Sequence, residues 1–482
     1  MSQLSSEMAL FTVEEVLEIT SARVLAGQML RGPCGRIRRV CTDSRQTRPG
    51  DLFLALKGER FDGHQFVTAS LRRGAVAAVV REDYRYSASS SPRSRRLPLL
   101  LGVPDTLLAY QHLAAQHRGR FQIPLVAVTG SNGKTTTKDM VAHVLAERWR
   151  VLKTEGNLNN QIGVPQTLLG LQVRHEAAVV EMGVDQKGQT TRLCEIACPT
   201  MGLITNIGPD HLEFFGTIDG SAQAKGELLD MLPSDGAAVL NADDPYFGYL
   251  ASRARCRVLT FGLSGSANVR AADVALDPRR GLSFGLMLPE RSRPQRVSLS
   301  AHGTHNLVNA LAAAAVGHLV GITGRSIAHG LARFRPATMR SQITRWRGVS
   351  IINDCYNANP VSMKAAINLL ADLGVGQRTI AVLGDMLELG PASLQMHREV
   401  GAYVAQCGIT LLIACGDLGK ELAQGARKAG MPSDRVHDLA DPIDAAGKLR
   451  SLAGAGDVVL LKASRGMQME RVIEVFTGAR SR

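Results

Sequence analysis

The chain has 482 residues, of which 45% are hydrophobic, 21% are charged and 4% are aromatic. Its length exceeds what a single hydrophobic core supports and predicts about three domains. The composition is ordinary for a soluble globular protein, and the net charge of +13 indicates anionic ligands.

Two classes of ligand explain the positive charge: nucleic acid and small anionic substrates. Arginines cluster in two places, Arg31, Arg36, Arg38 and Arg39 in the first and Arg93, Arg95 and Arg96 in the second. The second cluster follows the serine-rich stretch 84–92, and the whole segment is typical of a disordered surface loop. Aromatic residues are too few for base-stacking platforms, so small anionic substrates explain the charge at least as well.

No segment of the sequence indicates export or a membrane span. The first twenty residues carry four glutamates and no basic region, so we expect no signal peptide. The most apolar helix, near 310–320, has about eleven residues and is too short to cross a bilayer. Eight cysteines without regular spacing are typical of reduced thiols. We therefore expect a cytoplasmic protein.

Composition divides the chain into three segments, predicted as domains at 1–105, 106–335 and 336–482. The first is expected to be a small α/β domain. Strands and helices alternate in the other two, which predicts parallel sheets with helices on both faces. We expect a P-loop-type ATPase domain in the centre, interrupted by a β-rich insert at 268–299, and a Rossmann-like domain at the end. The predicted strands are 123–130, 177–182, 201–207, 236–241, 349–353, 378–384, 409–415 and 457–463.

The most informative stretch is the glycine-rich loop at 129–137. An apolar strand precedes it, and a helix follows it with apolar residues at 140, 141, 144, 145 and 149 on one face. The loop N–H groups and the helix N-terminus would converge on an anion. Lys134 would reach the β- and γ-phosphates of a nucleoside triphosphate, and Thr135 would bind Mg²⁺. Val128 stands where the common motif has its first glycine, so this is a shortened variant; an ordinary glycine turn is the weaker alternative.

Polar residues follow the strands that would flank this loop. Glu181 ends one strand, where Mg²⁺ beside a phosphate needs an oxygen ligand, although a solvated or helix-capping glutamate is the alternative. The next strand runs into the polar stretch 205–211. Its His211 is a candidate ligand for a second metal, although single histidines are more often structural. The loop at 156–165 is rich in asparagine and suits binding of a polar substrate.

In this order, the motifs resemble the Mur ligases, ATP-dependent enzymes that form amide bonds in peptidoglycan precursor synthesis. The resemblance covers nearly the whole chain. It rests on residues 42–45, 49–53 and 58–64, then on the glycine loop, 157–160, 181–183, 205–206, His211, 224–227, 241–244 and 303–310, and finally on Arg340, 353–360 and 382–390. The last two stretches favour the family member that adds D-alanyl-D-alanine over the one that adds diaminopimelate. Val184 and Asp185 depart from the usual family sequence.

The resemblance implies a role for each matching residue. The nucleotide would be bound by Thr129, Gly130, Ser131, Asn132, Gly133, Lys134, Thr135 and Thr136, with Asn306 and Asp354 on its adenine and ribose side. Two Mg²⁺ ions are implied, with Thr135, Glu181, His211 and Lys225 as ligands. Lys225 would act as a carbamate, although spacing alone favours a solvated lysine. Lys134, Lys225, His211 and Arg340 are the implied catalytic residues. Substrate contacts are expected at Ser44, Arg45, Asn157, Asn159, Asn160, Tyr356, Asn357 and Asn359.

The implied reaction joins D-alanyl-D-alanine to UDP-N-acetylmuramoyl-tripeptide through an acyl phosphate and consumes ATP. The three domains would bind the UDP-muramoyl peptide, ATP and the amine substrate, in chain order. We expect a monomer with no nucleic-acid partner. The alternatives are another Mur ligase such as the diaminopimelate-adding one, a folylpolyglutamate synthase, which the N-terminal domain argues against, and a P-loop ATPase of unrelated role, stimulated by nucleic acid.

Overall fold

The computed structural model describes residues 9–30, 32–58, 61–86, 98–289 and 291–478. Arg31, the second arginine cluster and most of the predicted loop at 84–96 lie outside these ranges. The chain forms two compact units: one comprises Met1–Ile123, Thr154–His175 and Arg192–Cys198, and the other comprises the remaining residues. The first unit extends past the predicted boundary at 105, and both domain boundaries stay predictions.

The first unit contains a mixed five-stranded sheet. The elements up to residue 119 are β1 (Phe11–Thr12), α1 (Val13–Thr20), β2 (Arg23–Ala26), β3 (Arg36–Ile37), β4 (Arg39–Cys41), β5 (Asp51–Leu54), α2 (Val67–Arg72), β6 (Ala77–Arg81), β7 (Leu99–Val103) and α3 (Thr106–Gly119). The sheet order is β2-β7-β6-β5-β4, with only β2 antiparallel to its neighbour. Ala109, Tyr110 and Leu113 of α3 join its core, which explains why the unit continues beyond residue 105.

The second unit begins with a six-stranded parallel sheet. Its elements are β8 (Leu125–Thr129), α4 (Lys134–Leu145), β9 (Val151–Lys153), β10 (Ala177–Glu181), β11 (Met201–Ile204), α7 (Leu212–Phe215), α8 (Ile218–Asp230), β12 (Ala237–Asn241), α9 (Phe247–Arg253) and β13 (Arg257–Phe261). Helix α5 (Gly163–Leu168) and all but the first three residues of α6 (Gln189–Ala197) lie between these elements in the chain but belong to the first unit. The order β13-β12-β11-β8-β10-β9 puts β8 where the chain switches direction across the sheet. Ligands of open α/β sheets bind at such a point, outside the carboxyl ends of the strands.

The predicted β-rich insert is confirmed as a three-stranded antiparallel sheet. It consists of β14 (Arg270–Asp277), β15 (Gly281–Met287) and β16 (Gln295–Leu299), and is followed by α10 (Thr304–Leu319) and α11 (Gly324–Arg333). Phe284 and Val297 of the insert share one buried core with α4 and α10. The insert therefore covers the same helices that support the glycine loop.

The C-terminal part of the second unit is a second doubly wound sheet. Its elements are β17 (Gln342–Trp346), β18 (Val349–Asn353), α12 (Pro360–Leu373), β19 (Thr379–Leu383), α13 (Ser393–Gln406), β20 (Leu411–Cys415), α14 (Gly419–Lys428), β21 (Val436–Leu439), α15 (Pro442–Leu452), β22 (Val458–Lys462) and α16 (Glu470–Thr477). The order is β17-β18-β22-β19-β20-β21, parallel except for β17. Its inner strands β19, β20 and β22 are buried on both faces, as is usual in parallel sheets.

The predicted strands are all present, and one predicted helix is shorter than expected. Helix α4 ends at Leu145, so Trp149 does not continue its apolar face. Residues 146–149 form turns, and Trp149 packs against the core from outside the helix. Within the described ranges, no helix is both long enough and apolar enough to cross a bilayer.

Candidate active site

The glycine loop lies between the end of β8 and the start of α4, as the sequence predicts. Gly133 is the residue before the helix and has a φ of +79°. A Cβ at Gly130 would lie 2.0 Å from Thr205 Oγ1, and one at Gly133 would lie 2.5 Å from Asn309 Oδ1. Only glycine fits either position, because the neighbouring side chains approach the backbone closely.

Side chains at the end of β11 hold the loop in this conformation. Thr205 Oγ1 donates to the Asn132 carbonyl at 2.6 Å. The Asn206 amide donates to the same carbonyl at 3.0 Å, and its oxygen accepts the Asn132 N–H at 3.0 Å. Lys134 Nζ folds over the loop and donates to the Gly130 carbonyl at 2.6 Å. The loop is therefore fixed by hydrogen bonds before any phosphate binds.

Thr135 and Glu181 meet on the side of the loop nearer β10. Thr135 Oγ1 donates to Glu181 Oε1 at 3.0 Å, and both residues are buried. On the same side, Thr129 Oγ1 donates to the Met182 carbonyl, while Thr136 is half-buried. The structure thus brings together two of the four predicted metal ligands.

Lys225 lies in a buried polar cluster rather than in solvent. Its Nζ donates to Asp210 Oδ1 at 3.0 Å and to Ser221 Oγ at 2.6 Å, and the Phe215 ring lies 4.7 Å from it. Asp210 Oδ1 also accepts from the Ser131 hydroxyl at 2.7 Å, so the cluster joins α8 to the glycine loop. Lys225 is 1% exposed, which argues against the solvated-lysine alternative.

The cluster perturbs both ionisable groups. Burial lowers the pKa of Lys225 to about 8, against the opposing effect of the Asp210 carboxylate. Burial acts to raise the pKa of Asp210, but the Lys225 and Lys134 charges and the hydrogen bonds of Ser131 and Lys225 hold it below its usual range. Asp210 Oδ2 is buried without a hydrogen-bond partner among the described residues. A buried, negatively charged carboxylate oxygen that lacks a hydrogen-bond donor is a favourable ligand for a cation.

His211 contacts a residue that the sequence analysis gave no role. Its Nδ1 lies 2.5 Å from Glu388 Oε2, and its ring packs edge-on against Phe215. Its role as a metal ligand stays a prediction.

The residues expected near the adenine and ribose are hydrogen-bonded within the protein. Asn306 donates to the His302 carbonyl at 2.8 Å and accepts from Asn309. Asp354 pairs with the buried Lys462 at 2.5 Å and accepts the Ser341 N–H at 2.7 Å. Their nucleotide contacts stay predictions.

Arg340 and three predicted amine-substrate residues lie in two adjoining segments of the second unit. The Arg340 guanidinium lies over the Tyr356 ring, 3.8 Å from its centroid. Asn357 is exposed, whereas Asn359 is 9% exposed and both ends of its amide are engaged. Its Oδ1 caps α12, and its Nδ2 donates to Asn132 Oδ1 of the glycine loop at 2.9 Å.

The remaining predicted substrate residues belong to the first unit. Ser44 is half-buried, and Arg45 is exposed and pairs with Asp43, whose pKa its hydrogen bonds lower to about 2. Asn157 is exposed and Asn159 is half-buried. Asn160 is exposed, and its Oδ1 accepts the N–H groups of residues 162 and 163 at the start of α5. This capping contact leaves only the amide nitrogen of Asn160 for a substrate.

Comparison with known proteins gives the family. Three family models match in order: "Mur ligase family, catalytic domain" at 36–117, "Mur ligase middle domain" at 128–317 and "Mur ligase, glutamate ligase domain" at 339–465. The UDP-N-acetylmuramoyl-tripeptide–D-alanyl-D-alanine ligase of Bacillus subtilis is 39% identical and covers 91% of this chain and 93% of its own length. The chain belongs to the Mur ligase family.

Solved structures of Mur ligases share the fold. A MurF crystal structure from Acinetobacter baumannii matches with a TM-score of 0.87 and 31% identity, over 97% of this chain and 99% of that one. MurF from Thermotoga maritima in complex with ADP matches with a TM-score of 0.79 and 30% identity, over 92% of this chain and 97% of that one. As a Mur ligase, the protein is an ATP-dependent ligase with a three-domain α/β fold.

The structure also adds residues to this Mur ligase site that the sequence analysis did not choose. Asn309 accepts from Thr137 at 3.1 Å and supports the loop from behind. Asp210, Ser221, Lys462 and Glu388 each contact a predicted site residue. Asp210 stands beside His211 in a polar stretch, and Asn309 and Glu388 lie in stretches that carry the family resemblance. Ser221 and Lys462 are recognisable only from tertiary contacts.

Proposed function

We propose that this protein joins D-alanyl-D-alanine to UDP-N-acetylmuramoyl-tripeptide using ATP. The Bacillus subtilis relative carries this activity in its name, and the two chains cover each other almost completely. The structural observation that carries the proposal is the glycine loop at the switch point of the sheet, with the Thr135 hydroxyl on the Glu181 carboxylate. That arrangement suits a nucleoside triphosphate.

The residues around the loop fit Mg²⁺. Asp210 Oδ2 is a buried carboxylate oxygen with no hydrogen-bond partner in the described part of the chain, and the oxygens of Thr135 and Glu181 already meet. Across the described residues, no three His, Cys, Asp or Glu side chains form a protein-only metal site. Mg²⁺ is commonly held by one or two carboxylates together with substrate phosphates, which agrees with both findings.

We propose that Thr135 and Glu181 hold one Mg²⁺, and that His211 and carbamylated Lys225 help to hold a second. When bound, these ions would neutralise charge on the phosphate oxygens.

We propose that Lys225 reacts with CO₂ to form a carbamate. The ammonium group first loses one proton to solvent. The neutral Nζ then attacks the carbon of CO₂, an N–C bond forms as one C–O π bond opens to give the carboxylate, and a second proton leaves to solvent, so that the side-chain charge changes overall from +1 to −1. The reaction requires a neutral amine, and a pKa of about 8 makes that form far more abundant at neutral pH than it is for an ordinary lysine. The carbamate N–H would still donate to Asp210.

The chain's own groups then organise two transfers. Lys134 exchanges the Gly130 carbonyl for phosphate oxygens and stabilises their charge while the substrate carboxylate attacks the γ-phosphorus. ADP leaves and an acyl phosphate remains. The amine of D-alanyl-D-alanine attacks the acyl carbon, and phosphate leaves as the amide forms. Arg340, whose guanidinium lies over the Tyr356 ring, would lie near the transferring phosphate.

We propose that the N-terminal domain, with Ser44 and Arg45, binds the uridine diphosphate portion of the substrate. The asparagines at 157, 159 and 160 would contact the muramoyl peptide, and the C-terminal domain would bind the amine. A cytoplasmic location is supported by the cysteines, because Cys41, Cys194, Cys198, Cys256, Cys355, Cys407 and Cys415 are free thiols.

Release of ADP and phosphate with defined substrates tests the proposal. We expect release with UDP-N-acetylmuramoyl-tripeptide to require D-alanyl-D-alanine, and a Lys134→Ala variant to be inactive. Preference for the UDP-muramoyl dipeptide with diaminopimelate would instead assign the activity of a sibling ligase. ATP hydrolysis that needs neither amine nor UDP-peptide, but is stimulated by nucleic acid, would favour the unrelated ATPase.

A further inference from the structure

Glu388 and His211 form a contact that the proposed reaction does not explain. The two side chains approach to 2.5 Å between His211 Nδ1 and Glu388 Oε2, and the Glu213 N–H donates to the Glu388 carbonyl at 3.2 Å. Both residues are in the left-handed region, with φ of 49° for His211 and 63° for Glu388. Non-glycine residues adopt this conformation only where the surroundings enforce it, and such positions cluster at functional sites.

The loop that carries Glu388 is held in place by a series of hydrogen bonds. Asp385 accepts the N–H groups of Asp417 and Leu418, just before α14, at 3.0 Å each. The Met386 N–H donates to Nε2 of the buried His397 at 2.9 Å, and the Leu387 N–H donates to Ser464 Oγ at 2.8 Å. Glu388 is the next residue, so its carboxylate is presented from a fixed backbone.

This geometry has a specific chemical consequence for the histidine ring. When Nδ1 carries the proton and donates it to the carboxylate, Nε2 keeps its lone pair. Histidines that bind metals almost always donate their other ring N–H to such a partner, which fixes the ring and raises the basicity of the ligand. Both side chains are partly exposed, 31% for His211 and 47% for Glu388, so as an ion pair the contact would contribute little to stability, and its consequence is the choice of ring nitrogen that is left for a cation.

We propose that Glu388 is a positioning residue for His211, holding Nε2 toward the second divalent cation. The proposal rests on the two-metal part of the proposed function. It assigns a task to the 382–390 motif, which the sequence analysis linked only to the choice of amine substrate. It also makes the affinity of the second metal depend on a loop of the C-terminal sheet.

Binding of Mn²⁺, followed by electron paramagnetic resonance in the presence of a non-hydrolysable ATP analogue, tests this assignment without turnover. We expect Glu388→Ala to weaken the weaker Mn²⁺ site ten- to a hundredfold, the range found for loss of such partners. Glu388→Gln should stay within about threefold of wild type, since its amide oxygen also accepts from Nδ1–H. Glu213→Ala is the matched control: it removes a nearby carboxylate, whereas the ion pair of the ring is with Glu388, and it should leave the affinity unchanged.

A double substitution separates positioning from a general electrostatic effect. In a His211→Ala background, Glu388→Ala should change Mn²⁺ binding no further. Two results would overturn the role of Glu388 but not the two-metal proposal. One is a Glu388→Ala variant with the Mn²⁺ affinity of the wild type; the other is a loss of Mn²⁺ affinity on Glu388→Ala that is as large in the His211→Ala background as in the wild type. A single Mn²⁺ site in the wild-type protein would overturn the two-metal proposal itself, before any variant is compared.

Discussion

Replacing Lys225 by methionine gives a quantitative test of the buried Lys225–Asp210 pair. The pKa of Lys225 is about 8 in the folded protein and 10.5 for an ordinary lysine. Between these two values the unfolded chain binds a proton that the folded protein does not. The free energy of unfolding therefore rises with pH in this window. At about 1.4 kcal/mol per pH unit, the whole interval corresponds to about 3 kcal/mol.

Urea unfolding of the wild type and of Lys225→Met at several pH values measures this contribution. Below pH 8 both states of the wild type are protonated at Lys225, so the difference between the two proteins should not change with pH. By pH 9.5 the difference in the free energy of unfolding should have increased in favour of the wild type by about 2 kcal/mol, at about 1.4 kcal/mol per pH unit. Other alkaline effects act on both proteins and cancel. The buffers must be free of CO₂, because a carbamate does not titrate as an amine.

A difference that stays flat from pH 7.5 to 9.5 would refute the reasoning. It would mean that the pKa of the amine is not lowered, whether it keeps its ordinary value or is raised by Asp210, because a raised pKa changes the difference only above about pH 10. Added bicarbonate should reduce the pH dependence if Lys225 forms the proposed carbamate.

Three substitutions test the loop and the buried lysine through activity and binding. Lys134→Ala should lower amide formation at least a hundredfold, about 2.7 kcal/mol, and steady-state turnover within tenfold of wild type would contradict its role. Gly130→Ala should weaken binding of a non-hydrolysable ATP analogue, measured by calorimetry, because the new Cβ would lie 2.0 Å from Thr205 Oγ1. Adding Thr205→Ala should restore part of that affinity, and no recovery would locate the strain elsewhere. Lys225→Ala should lose most activity and regain part of it with acetate or formate, a rescue that Lys134→Ala should not show.

The parts of the fold predicted correctly are those whose signal is local in the sequence. Strand β8, the glycine loop and α4 are adjacent in the chain, so apolar runs and glycine spacing reveal them directly. Strands that were missed, β9, β13, β17 and β21, carry weaker signals. They lie at or next to sheet edges, where one side is less buried and the apolar run is shorter or mixed with charge.

The contacts that complete the site could not be predicted because they join residues far apart in the chain. Asn309 meets Thr137 across 172 residues, and Glu388 meets His211 across 177. Neither has a local pattern that distinguishes it from a helix-surface asparagine or a loop glutamate. For Lys225 the local pattern is misleading rather than absent. Its spacing favours a solvated lysine, and only the tertiary packing of α8 buries it.

Asn359 shows how one side chain can serve both sheets of the second unit. Its Oδ1 accepts the Ser362 N–H and begins α12, while its Nδ2 donates to Asn132 in the middle of the glycine loop. Asn132 is fixed in turn by Asn206 at the end of β11. The cap of a C-terminal helix, the phosphate loop and the central sheet therefore share one run of hydrogen bonds. The effect of an Asn359 substitution on use of the amine substrate must therefore be compared with its effect on nucleotide affinity. The same side chain reaches the loop where the phosphates would bind.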